Sequence, residues 1–383
     1  MRFLISAGEA SGELYGAGII HALRQRVPGA EFFGVGGERM RQAGFKTLVD
    51  AHAISVVGIV EVIKHLPKIR REFKRLVSET AARKPDVAIL IDFPDFNLRL
   101  AKKLHKLNIP VVYYVSPQLW AWRQGRIKQI KKYVRKMLVI FPFEQDFYRK
   151  RGVQAEYVGH PLADEPLPTI TREQFAAENN LDPNKTWVAL LPGSRQKEVE
   201  LNLPGVLDSA SELRSISDEF ILPVASSLDM QWMHRHVDRG NAPAKLVRDV
   251  RAALLHSRAA IVASGTATVE AALIGTPFVM VYRVAPWTYR LGRHFVKVKR
   301  FAMVNLIAGR DVVPEYVQND FIPEAVAGKT RELMTDGRDR SRMIEQFDAI
   351  RKKLHPPAAG KAADRAADAI LSVTAKSPVL QPK

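Results

Sequence analysis

The 383-residue chain contains no cysteine, which removes disulfides, thiolate metal sites and a cysteine nucleophile together. It also lacks any run of eighteen uncharged apolar residues, so no membrane-spanning helix is expected. Glu9 follows Met1-Arg2-Phe3-Leu4-Ile5-Ser6 before a long apolar stretch can form. That start does not read as a secretory signal, and a cytoplasmic location is expected. Two familiar nucleotide signatures are missing. A dinucleotide fingerprint needs Gly-x-Gly-x-x-Gly after the first strand, whereas the loop here runs Gly8-Glu9-Ala10-Ser11-Gly12-Glu13, and no Gly-Lys-Ser/Thr ending marks a phosphate loop. His234 and His236 form an HxH that reads as a helix-surface pair, so neither a metal nor a cofactor is expected.

Acidic residues are few as well. Forty Asp and Glu face 58 Lys and Arg, a net charge of +18, which calls for an anionic partner or surface. The excess is clustered: residues 61–84 hold eight basic side chains against three acids, 123–136 hold seven against none, and 283–300 hold six against none. In 58–77, apolar Ile59, Val62, Ile63, Leu66, Ile69, Phe73 and Leu76 alternate with Lys and Arg, as in an amphipathic helix pair kinked at Pro67. Its apolar side either packs on a core or faces an anionic membrane. The membrane is favoured, with Ile63, Leu66, Ile69 and Phe73 as the facing residues. No nucleic-acid-binding signature is found, and no nucleic-acid partner is expected.

What is present is strand, loop, helix, repeated. Apolar runs at Phe3–Ser6, Glu31–Gly36, Asp86–Ile91, Pro110–Val115, Met137–Phe141 and Glu156–Val158 form a first set. Trp187–Leu191, Ile221–Val224, Lys245–Val247, Ala260–Ala263 and Pro277–Val281 form a second, after the proline-spaced stretch Pro161–Pro168. Such alternation predicts an α/β fold of two Rossmann-like βα domains with parallel sheets, facing each other across a cleft. The expected spans are 1–165, 166–360, and a C-terminal helix and frayed tail over 361–383.

Candidate chemistry lies after the strands. In Leu190–Arg195 (LLPGSR), Gly193 lets backbone N–H groups approach a phosphate, with Ser194 and Arg195 behind it. In Ser264–Glu270 (SGTATVE), Gly265 and Thr266 open a helix whose N-terminus favours a phosphate, and Glu270 could accept from a ribose diol. A generic strand-to-helix turn is the alternative for each. In IDFPDFN, Asp92 and Asp95 either cap the following helix, the better local reading, or supply a general base. Glu9, Ser11 and Glu13 line the same region or cap their own helix. His160 either faces the cleft or satisfies a turn, the turn being favoured.

Taken in order, GEASGE (8–13), VGIVEV (57–62), DFPDFN (92–97), YVSPQLWAWRQGR (114–126), FPFE (141–144), GHP (159–161), LLPGSR (190–195), ASGTATVE (263–270), YR (282–283) and NLIAGRDVVPE (305–315) resemble the lipid-A-disaccharide synthase family. The block Ser116-Pro-x-x-Trp120-Ala-Trp122-Arg123 is the most specific, since no generic βα fold requires it. The first loop departs from the family's Ser-Gly-Asp by ending in Glu13, which leaves the role of Glu13 open. The resemblance implies a GT-B type, metal-independent, inverting glycosyltransferase. It would join UDP-2,3-diacylglucosamine to 2,3-diacylglucosamine 1-phosphate (lipid X), giving the β-1,6 disaccharide 1-phosphate and UDP. By the same resemblance, Asp95 is the expected base on the acceptor 6-hydroxyl, with Glu9 and Ser11 nearby. Arg195, Glu270 and Asn305 match positions that hold UDP or position the sugar, and Arg283 in the YR motif is grouped with them. Peripheral attachment to the cytoplasmic face of the inner membrane is expected, and a homodimer stays open because the tail after Gly309 is long enough to exchange. The alternatives that keep the fold are a UDP-N-acetylglucosamine 2-epimerase or a transferase to another lipid acceptor.

Overall fold

The structure, a computed structural model, describes residues 1–54, 59–217, 219–285, 289, 300–356 and 360–374. Two compact units result: Met1–Asp164 together with Leu354–Lys383, and Glu165–Lys353. The first boundary falls inside the proline-spaced stretch 161–168. The last residues fall elsewhere than their expected span, since Leu354 onward joins the first unit rather than the second.

In the first unit, strands β1 (Arg2–Ala7), β2 (Glu31–Gly36), β3 (Lys46–Asp50), β4 (Val87–Ile91), β5 (Val111–Tyr114), β6 (Lys136–Val139) and β7 (Ala155–Tyr157) form one sheet in the order β3-β2-β1-β4-β5-β6-β7. Every pairing in it is parallel. The central strands carry apolar side chains on both faces because both are covered: Phe3, Ile5, Ile89 and Ile91 enter one core and Leu4, Ala88 and Leu90 the other. The helix Ala362–Thr374 closes the first of these cores, with Ala366, Ile370 and Val373 buried beside Tyr15, Ile19 and Leu23. Arg26 fastens it by pairing with Asp364 at 3.1 Å and Asp368 at 2.5 Å.

In the second unit, β8 (Trp187–Leu191), β9 (Glu219–Pro223), β10 (Lys245–Val247), β11 (Ala259–Ala263), β12 (Phe278–Tyr282) and β13 (Glu315–Val317) pair in the order β10-β9-β8-β11-β12-β13, all parallel. Edge strands β3 and β13 escape the sequence pattern. Each is short and half-buried, so neither shows the continuous apolar run that marks the inner strands.

Strand order reverses between β1 and β4 in one sheet and between β8 and β11 in the other. At such a reversal adjacent crossovers leave on opposite faces and open a crevice beyond the carboxyl ends of the strands. The loops at these two points are Gly8–Glu9 with Asp92–Phe93, and Gly193–Arg195 with Ser264–Gly265.

Candidate active site

In the first unit the crevice is built on a constrained backbone. Asp92 and Phe93 have φ of 44° and 49°, and Val115 and Arg123, which follow β5, have 62° and 51°. Non-glycine residues in this region cost about 1–3 kcal/mol each and persist only where surrounding bonds hold them. Around Asp92, Asn97 supplies those bonds. Fully buried, it donates through Nδ2 to the carbonyls of Ser6 (3.2 Å), Ile91 (3.1 Å) and Asp92 (2.8 Å), and accepts from Ser6 Oγ at 2.7 Å. The Tyr113 hydroxyl adds a 2.6 Å bond to the Asp92 carbonyl. Gly8 then lies so close to the Phe93 ring that a Cβ there would sit 2.4 Å from it.

Neither acid of IDFPDFN caps the helix Pro94–Lys106, as local reasoning favoured; Phe93 holds the N-cap position. Asp95 stands in the first turn, exposed, with its Oδ1 held by Arg126 Nη2 and, at 3.5 Å, by Arg123 Nη1. Among the described residues Oδ2 takes no hydrogen bond. Glu9 is the N-cap residue of Ala10–Arg26 but makes no side-chain capping bond, and Ser11 is half-buried beside it. Glu13 is buried with its carboxylate against Gly37, where a Cβ would lie 2.1 Å from Oε1.

The loop carrying the two arginines is anchored from below. Trp120 Nε1 donates to Glu144 Oε1 at 3.0 Å, and the Phe141 N–H donates to Glu144 Oε2 at 3.2 Å. Burial pushes the Glu144 pKa up to about 8 against the pull of these bonds. Ser116 Oγ meets Tyr148 OH at 2.7 Å. The motifs SPQLWAWR and FPFE are thus one packed unit. His160 satisfies a turn, its Nδ1 accepting from the Leu162 N–H at 3.2 Å, and burial lowers its pKa to about 3, so the ring is neutral.

In the second unit Gly193 has φ of 135°, and Glu198, one turn into the helix Gln196–Ser211, reaches back beside it. The Glu198 carboxylate accepts from the Ser194 N–H at 3.3 Å and from Arg195 Nη1 at 2.6 Å, the position an anion would take. Gly265 has φ of 146° with open space where a side chain would be, and exposed Thr266 begins the helix Thr266–Ile274. Glu270 lies inside that helix. Burial raises its pKa, while the Arg251 guanidinium at 3.9 Å acts in the opposite direction. Arg283 Nη2 donates to the Phe321 carbonyl at 2.9 Å, and the guanidinium stacks over the Phe321 ring.

Asn305 differs most from expectation. It is fully buried, and its amide is spent inside the protein: Nδ2 donates to Val313 O (2.9 Å) and Glu315 Oε1 (2.8 Å), and Oδ1 accepts from the Val312 (2.7 Å) and Val313 (2.9 Å) N–H groups. It presents no surface to a ligand here. Glu315 meanwhile accepts from the N–H groups of Phe301 and Ala302, just before the helix Met303–Ala308.

The proposed membrane ridge is corrected in part. Residues 59–83 form one helix with Pro67 inside it, rather than a kinked pair. Ile69 and Phe73 pack on the core, Phe73 edge-on to Phe96, and Leu76 is fully buried. Leu66 is half-buried, and the side chain of Ile63 lies outside the described residues. Lys68, Arg70, Arg71, Lys74 and Arg75 are exposed on the same helix. No helix among the described residues is long and apolar enough to cross a membrane, and none of their His, Asp and Glu side chains gather in a group of three able to hold a metal.

Comparison with known proteins decides the family. The family model for lipid-A-disaccharide synthetase matches residues 3–369. A lipid-A-disaccharide synthase of Koribacter versatilis is 54% identical over 377 residues, spanning 97% of this chain and 98% of that one. The chain belongs to the lipid-A-disaccharide synthetase family. Solved structures give the same two-domain fold of the GT-B type: the calicheamicin glycosyltransferase CalG4 at TM-score 0.59 and 15% identity, covering 97% of both chains, and a Neisseria meningitidis UDP-GlcNAc 2-epimerase at 0.61 and 11%, covering 98% of this chain and 100% of that one. At such identities the likeness is one of fold alone.

As a lipid-A-disaccharide synthetase, the enzyme is a glycosyltransferase of lipid A biosynthesis, and the family motifs take on distinct physical jobs. Glu9 and Arg195 sit at the loops beyond the sheet reversals, and Ser11, Asp95 and Thr266 in the first turns of the helices that follow them. Asn97 holds the Asp92 loop in shape, Trp120 and Glu144 the 116–126 loop, and Asn305 and Glu315 the segments around 301–302 and 312–313. Sequence reasoning assigned no role to Asn97, Tyr113, Glu144 or Glu315, because a buried polar residue is recognisable only once its partners are known. The one signal for Asn97, Glu144 and Glu315 was position inside the motifs; Tyr113 lies outside them.

Proposed function

We propose that the enzyme transfers 2,3-diacylglucosamine from UDP to the 6-hydroxyl of 2,3-diacylglucosamine 1-phosphate, with Asp95 as general base. In this scheme the acceptor O6 attacks the donor C1 as its proton passes to Asp95. The bond from C1 to the diphosphate oxygen breaks with its electron pair, and UDP leaves from the opposite face, inverting C1 to the β configuration.

The observation that carries this reading is the state of the Asp95 carboxylate. With Oδ1 gripped closely by Arg126, the carboxylate is oriented and Oδ2 remains for the incoming hydroxyl. The charge on departing UDP is met by Arg195, the Ser194 N–H and the helix opening at Thr266. That requires Glu198 to yield its contacts to the diphosphate. Asn305 and Arg283 act by shaping the surrounding loops, and Glu270 keeps its expected contact with the ribose. The exposed basic side chains of helix 59–83 and of 123–136 support a position on the anionic cytoplasmic face of the inner membrane.

The test is a transfer assay in EDTA with both substrates. Asp95→Asn should lower kcat by about 10²–10⁴-fold while UDP binding is retained. Near-normal turnover would remove Asp95 from the base role.

A further inference from the structure

We propose that Arg123, seated on Trp122, is the subsite for the phosphomonoester of the acceptor. This rests on the transfer reaction above and adds a recognition element to it. The two arginines beside Asp95 are not equivalent. Arg126 is largely buried, with 19% of its side chain exposed, and it grips Oδ1 closely; Arg123 is 49% exposed and reaches Oδ1 only at 3.5 Å. Its guanidinium carbon lies 4.4 Å from the centre of the Trp122 ring, and Trp122 is itself 42% exposed, one of few large apolar side chains left open among the described residues.

The backbone presents this pair deliberately. Arg123 holds φ of 51°, a conformation with a cost for a non-glycine residue. The turn is kept by the Arg126 N–H to Arg123 carbonyl bond at 3.0 Å and by the Trp122 N–H to Gln118 carbonyl bond at 3.2 Å. Below it, Trp120 is locked to Glu144. An anchored turn that ends in an exposed guanidinium on an exposed indole matches a phosphate borne by an amphiphile. The fork pairs two phosphate oxygens, and the indole covers apolar surface beside it. A phosphate here would also draw Arg123 from Asp95, leaving that carboxylate with one guanidinium instead of two as it takes up the hydroxyl proton.

The experiment compares wild type, Arg123→Ala and Arg123→Gly in neutral detergent. Glycine adopts this φ freely, so it removes the guanidinium without disturbing the turn. The acceptor is offered with its 1-phosphate and as the phosphate-free 1-hydroxyl compound. Both variants should raise KM for the phosphorylated acceptor about 10–100-fold, the loss of a charged hydrogen-bonded contact. KM for the donor and for the phosphate-free acceptor should stay within about twofold of wild type, a margin well below one such contact. Equal losses with both acceptors, or none with either, would overturn the subsite. A defect that emerges only when anionic phospholipid is added would assign Arg123 to bilayer headgroups and overturn it too. Wild type that joins neither acceptor to the donor would instead refute the transfer reaction, and the subsite with it.

Discussion

Replacing Glu144 by Gln should remove a pH dependence from stability. Burial lifts the carboxyl from its ordinary 4.5 to about 8, so the folded protein prefers the protonated form. An acid with a raised folded pKa penalises folding once the unfolded chain ionises: the penalty is absent below about pH 4, grows as pH rises through the interval, and is complete above about pH 8. At 1.36 kcal/mol per unit, wild type should lose about 3 kcal/mol relative to the Gln variant between pH 5 and pH 7.5. The Gln amide cannot accept from both Trp120 Nε1 and the Phe141 N–H, which costs about 1–3 kcal/mol. That cost does not vary with pH, so it shifts the difference curve without changing its slope. Thermal unfolding followed by tryptophan fluorescence at half-unit pH steps, taken as variant minus wild type, isolates this one group. A flat difference from pH 5 to 8 would refute a buried, protonated Glu144.

Asn305→Ala should cost about 2–5 kcal/mol by leaving the Val312 and Val313 N–H groups and Glu315 without partners. A melting temperature equal to wild type, with only donor KM altered, would show Asn305 to be a ligand residue after all. Arg195→Ala should raise donor KM about 10–100-fold and leave acceptor KM alone; unchanged kinetics at limiting donor would move the diphosphate elsewhere. Leu76→Ala should destabilise the first unit by about 2–5 kcal/mol, read by thermal melting, and weaker vesicle binding at unchanged stability would return the apolar side of helix 59–83 to a membrane-facing role.

The inner strands were legible because buried parallel strands are continuous apolar runs, and the loops beyond several of them were legible because Gly8, Gly193 and Gly265 follow such runs; the sheet reversals themselves depend on strand order, which no run of residues states. Helix 59–83 shows the limit. Alternating Lys and apolar residues describe equally a helix on a core and a helix on a lipid surface, and the contact of Phe73 with Phe96 and the burial of Leu76 separate the two. Asp95 shows another. Aspartate near a helix start is most often a cap, and what makes it more is Arg126, thirty-one residues away. Asn305 fell within a recognisable motif whose side chain points inward, a distinction no spacing reveals.

The return of Leu354–Lys383 to the first unit has a consequence for biosynthesis. The first unit is interrupted, and the second is inserted within it. At ribosomal speeds of about 5–20 residues per second, the chain from Glu165 to Lys353 takes roughly 10–40 s to emerge. During that interval Tyr15, Ile19 and Leu23 have no Ile370 or Val373 to cover them. The nascent enzyme therefore carries an open apolar seam until its C-terminal helix is made, and the unit that holds Asp95 cannot be completed before then.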